Sequence, residues 1–158
     1  MSELLQKLST YNIFNYLFPG VVFVILLNRY TEINLVVDDA ILGMFLYYFF
    51  GLVLSRIGSI LIEPILRYTR IVQFSDYTRF VRASELDDKI ELLSEVNNMH
   101  RTIIAMLVVS LVISVCNQSA TCHLILGLVS SIILFILSYR KQTSFITKRI
   151  EETLRNTP

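Results

Sequence analysis

The chain has 158 residues, of which 54% are hydrophobic and only 17% charged, with a mean hydropathy of +0.59 and a net charge of +1. A water-soluble domain carries about a quarter charged residues, so this composition excludes an ordinary soluble globule. The near-neutral charge excludes a global basic field for direct nucleic-acid binding.

In chain order, Asp, Glu, Lys and Arg are absent from 13–28, 40–55 and the whole of 102–139. A helix needs about 20 apolar residues to cross a hydrocarbon core of about 30 Å. The first run reaches that length by borrowing Leu4, Leu5, Leu8 and Tyr11. The second does so by continuing through Ile57, Ile60, Leu61 and Ile62. The third divides at the polar turn 116–123. The expectation is an all-α membrane protein: four transmembrane helices, spanning about 12–29, 40–62, 102–118 and 122–139, as two hairpins in a single membrane domain. A cleavable signal peptide needs a small-residue cleavage site, and none follows Val24, so the first segment reads as an uncleaved helix. Pro19-Gly20 inside it predicts a bend or a helix start, because proline removes a backbone donor.

The second span carries small residues at multiples of four, Gly43, Gly51, Ser55 and Ser59. Such a ridge lets helices approach closely in lipid, either within the chain or across a homo-oligomer seam. Arg56 and Glu63 are the charges in and at the end of that span. Arg56 marks the inner headgroup boundary or links to another helix or to Glu63, since in-span charges need a partner or snorkelling.

Thirteen of the 14 basic residues, Lys7 and those at 56–101 and 140–155, fall on one side of this layout. The positive-inside rule then puts both termini and a helical segment at 67–101 in the cytoplasm of a bacterial inner membrane. Within that segment Ser84 and Asp87 resemble a capping box opening a helix, with Leu86, Ile90 and Leu93 as its apolar stripe. Asp88, Glu91 and Glu95 form an acidic face. Anionic lipid repels such a face, which suits it to docking a cytosolic protein. The tail, 140–158, reads as an amphipathic anchor at the headgroups.

Cys116 and Cys122 bracket the outer turn; in an oxidising compartment they can pair across the hairpin, and otherwise remain free thiols. His100 and His123 are predicted on opposite sides of the membrane, so they cannot share a metal. No phosphate loop, HExxH or paired nucleophile occurs. The expectation is a non-enzyme without cofactor or metal, whose partners are the bilayer, further copies of itself and a cytosolic protein.

The stretch Leu8-Ser9-Thr10-Tyr11-Asn12-Ile13-Phe14-Asn15-Tyr16-Leu17-Phe18-Pro19-Gly20 resembles the start of a group of small bacterial membrane proteins. Gly51-Leu52-Val53-Leu54-Ser55-Arg56-Ile57-Gly58-Ser59 and Glu95-Val96-Asn97-Asn98 resemble their later pattern. The layout is similar to that of the four-helix membrane subunit of the Kiwa anti-phage system, which implies an oligomeric membrane subunit acting with a cytosolic partner.

Overall fold

Short polar side chains set most helix starts. The computed structural model describes residues 13–118 and 121–156; all of its regular structure there is helical. The proposed start of the first span at Leu4, Leu5, Leu8 and Tyr11, and the placement of Lys7, lie outside the described residues. Helix α1 (Phe18–Tyr30) grows from a π-helical turn at Ile13–Leu17 and has no side-chain cap. Pro19 sits in its first turn, directly after that π turn.

Helix α2 (Ala40–Ile57) opens on Asp39, whose carboxylate accepts from Ile41 N and Leu42 N at 2.8 and 3.0 Å. It continues through a second π-helical turn, Gly58–Ile62, into α3 (Glu63–Tyr68), giving one 29-residue rod. Both π turns lie just before a proline, where the hydrogen-bond ladder must shift to accommodate the lost donor. Asp76 caps α4 (Tyr77–Ser84), Asp87 caps α5 (Asp88–Cys116) and Thr121 caps α6 (Cys122–Arg155). Each cap contributes about 1 kcal/mol.

Among the described residues three rods are long and apolar enough to cross a membrane: Ala40–Tyr68, Asp88–Cys116 and Cys122–Arg155. Their outward surfaces are apolar: Ile41 and Phe45 on α2 are each 71% exposed, and Leu134 on α6 is 64% exposed. Water-soluble monomers seldom expose apolar surface on that scale, so the chain is a multi-pass membrane protein. Helix α1, with 13 residues, is about 20 Å long. It is shorter than a hydrocarbon core, yet it packs Phe23 and Leu27 into the bundle core with Leu54, Ile103, Met106 and Leu128.

Two expected breaks are absent. The inner segment and the third span are one helix, α5, and the fourth span and the tail are one helix, α6. The change from polar to apolar sequence at 101–102 alters what the side chains meet and leaves the backbone ladder intact. Neither glycine nor proline interrupts Asp88–Cys116. Ser84 ends α4, and the cap that starts the next helix is Asp87. The tail lies against protein: Ile146 and Ile150 bury themselves with Ala83 and Ile90. Leu86, expected on the buried stripe, is half exposed, whereas Ile90 is fully buried.

α4 and the extensions of α5 and α6 thus form a small helical platform with its own core at one end of the bundle. A second cluster, Leu66, Val72, Ile104 and Tyr139, joins platform to bundle.

A polar cleft between the bundle and the platform

Glu63 stands at the end of the apolar run of α2, and two arginines reach it. Arg101 stands at the last charged position before the uncharged stretch of α5 and donates through Nη1 to Glu63 Oε2; both side chains are largely buried. Arg67, one turn along from Glu63, donates through Nη2 to Oε1 at 3.3 Å, and its side chain is mostly exposed. The Arg67 guanidinium also lies 4.7 Å from the centre of the Phe74 ring, a cation–π contact. Phe74 in turn meets Tyr139 edge-on at 6.2 Å.

These groups line an open cleft of about 800 Å³ between the 69–76 loop, α4, α5 and α6. At its floor Asn97 Nδ2 donates to Thr143 Oγ1 at 3.0 Å, and the Thr143 hydroxyl has the Tyr139 carbonyl as an acceptor at 2.9 Å. Two buried polar atoms on cleft-lining residues have no hydrogen-bond partner, Arg101 Nε and Ser75 Oγ. Arg70, also on the cleft, has φ of 57°, in the left-handed region.

The platform is tied to the cap of α5 by Arg149, whose Nε donates to Asp87 Oδ2 at 2.7 Å. That hydrogen bond holds the Asp87 carboxyl below its usual range.

The residues singled out from sequence fall in different places. A Cβ on Gly51 would lie 1.8 Å from the Tyr16 carbonyl oxygen, and a Cβ on Gly20 would lie 1.8 Å from that of Tyr47. At Gly51 the small-residue ridge is therefore filled from within the chain by the turn leading into α1. Gly43 is buried beneath the Tyr47 ring of its own helix, and Ser55 and Ser59 are half-buried. Gly58, between the ridge positions, meets the Arg101 backbone. Gly20 matters as a packing surface, a role hidden by its reading as part of a proline bend.

Arg56 is exposed among Leu52, Val53, Ile57, Ile60 and Leu61. The expected alternative of an Arg56–Glu63 link is not made, because Arg101 and Arg67 take both Glu63 oxygens. The signal for Arg101 was in the sequence: two opposite charges, each at the boundary of its own apolar run.

On α5, Asp88 and Glu91 are exposed, but Glu95 is half-buried and accepts from Asn15 Nδ2 at 2.9 Å. The three carboxylates do not form one free face. Cys116 and Cys122 are exposed and stand as free thiols in this structure. His100 Nδ1 contacts the Val96 carbonyl at 2.8 Å, and its Nε2 contacts Ser138 Oγ at 3.0 Å. A carbonyl only accepts, so Nδ1 carries the hydrogen of the contact to Val96. Among the described residues no cluster of His, Cys, Asp and Glu could hold a metal ion.

No family model, curated protein or solved structure matches the chain.

Proposed function

We propose that the chain is a bacterial inner-membrane subunit that holds a cytosolic protein at the membrane through its helical platform. The observation that carries this reading is that α5 and α6 continue beyond their apolar stretches and build, with α4, a folded unit with its own buried core. A helix end needed only for anchoring requires no such core. The platform and the adjoining α3 bear most of the basic residues, which supports a cytoplasmic position for them under the positive-inside rule. In this reading α1 enters the membrane beside α2, so that the chain crosses as two hairpins with both termini inside. Asp88 and Glu91, exposed on the platform, supply the acidic part of the docking face and act mainly on association rate. The resemblance of the layout to a membrane subunit of an anti-phage system is the ground for assigning this tether to phage defence.

The alternative is an ion channel. The bundle core around Leu54, Met106 and Leu107 is apolar, which favours the tether over a pore through one copy.

A photo-crosslinker at position 88 in cells is expected to give a discrete adduct with a cytosolic protein. A second substitution, Glu91→Lys, should reduce that adduct, and a crosslinker at 134 on the outward face of α6 should give none. Purified protein in liposomes should pass no current. Currents in liposomes, with no adduct at 88, would move the function to the channel.

A further inference from the structure

We propose that the cleft between bundle and platform binds the phosphate group of an anionic ligand, with Arg70 and Arg101 as its contacts. This goes beyond the tether and does not rest on it.

The donors left over in the cleft are the starting point. Three arginines, Arg67, Arg70 and Arg101, line it, against two carboxylates, Glu63 and Asp76. Both carboxylates are committed: Glu63 to Arg67 and Arg101, and Asp76 to the Thr78 backbone N–H at 3.0 Å. Arg101 still has its Nε free of any partner in a buried position, and the buried Ser75 hydroxyl is in the same state. A buried donor without a partner is destabilising, so a ligand oxygen admitted by a small shift of the cleft wall would satisfy it.

Arg70 adds a cation with no ion pair among the described residues, held at φ 57° where the chain turns from α3 towards the cleft. Glycine or asparagine adopts that conformation with less strain. The left-handed turn is that of a helix C-cap, closed by Arg70 N–H to the Arg67 carbonyl and Val72 N–H to the Leu66 carbonyl, and it sets Arg70 on the rim of the cleft. Guanidinium groups match phosphate oxygens with paired donors. The cleft also has aromatic walls, Phe74 and Tyr139, and a volume of about 800 Å³, enough for a phosphate with an organic group attached. Two sources share this chemistry: an anionic phospholipid headgroup and a soluble organic phosphate. The position of Arg101 at the border of the apolar run suits the first.

The test uses the full chain in phosphatidylcholine nanodiscs, with phosphatidylglycerol added in one arm and inorganic pyrophosphate in the other. Native mass spectrometry reads retained lipid, and thermal unfolding reads ligand stabilisation. Arg70→Gly removes the guanidinium and relieves the left-handed strain, so it should keep or raise the ligand-free Tm while cutting retention of the bound probe by roughly tenfold. Arg70→Asn serves the same purpose should the glycine variant fold poorly. Arg79→Gln, on an exposed platform arginine outside the cleft, controls for bulk charge and should bind like wild type. Phosphatidylglycerol retained by wild type and lost in the Arg70 variants supports a lipid source. A pyrophosphate-induced rise in Tm, lost in the same variants, supports a soluble one. Equal binding by wild type and the Arg70 variants, or binding of neither probe, overturns the proposal.

Discussion

Gly51→Ala and Gly20→Ala are each expected to disrupt the junction between α1 and α2, whereas Gly127→Ala should leave the protein intact. The added methyl would meet a backbone carbonyl oxygen at 1.8 Å in the first two cases and nothing within 4 Å in the third. A flexible side chain could swing away, but the carbonyls of Tyr16 and Tyr47 belong to helical backbone, so the two segments must separate. Separation breaks the packing that seats Phe23 and Leu27 in the core, and the cost should be about 3 kcal/mol or more. Gly127→Ala gains helix propensity worth up to about 1 kcal/mol. Thermal scans of detergent-solubilised protein by size exclusion check this. If all three variants melt together, the close approach at Gly20 and Gly51 does not contribute to stability.

Glu63→Gln should cost nearly as much by a different mechanism. It leaves the Arg101 guanidinium, whose side chain is only 15% exposed, without its counter-charge. Removing one partner of a buried pair costs about 3–5 kcal/mol, mostly from the stranded charge. Arg67→Ala should cost at most about 1 kcal/mol, because that side chain of the Glu63 pair is 61% exposed. Replacing both Glu63 and Arg101 by leucine should recover much of the loss. A double-mutant cycle of Glu63→Leu and Arg101→Leu, read as unfolding temperature in detergent, measures the coupling; independent effects of these two single changes would exclude the ion pair as a fixed link between α3 and α5.

The apolar runs made the membrane character legible, since composition alone demands a solvent other than water. Orientation was equally open to reading as an expectation, because Lys and Arg are so unevenly placed. Helix boundaries were less legible. Hydropathy changes sharply at Arg101 and again at Arg140, and a reader dividing the chain by hydropathy cuts α5 and α6 where the backbone continues. Ser84 reads as the helix start with Asp87 as its capping-box partner; the Ser84 hydroxyl instead donates back to the Val81 carbonyl, and the Asp87 carboxylate accepts from Lys89 N.

The cleft was hidden for a related reason. Its parts come from Glu63, Phe74, Arg101 and Thr143, which are distant in sequence and carry no local motif. The acidic stripe on α5 was read from helical spacing, and spacing cannot reveal that Asn15, 80 residues away from Glu95, turns one member inward.

In the proposed topology the platform faces the cytoplasm while the turn at 31–39 faces outward. Single cysteines at the exposed positions 32, 88 and 148, in a Cys116→Ser/Cys122→Ser background, report this directly through a membrane-impermeant maleimide on intact spheroplasts. Labelling at 32, with 88 and 148 labelled only after permeabilisation, is the expected result; labelling at 88 or 148 in intact spheroplasts would contradict the account.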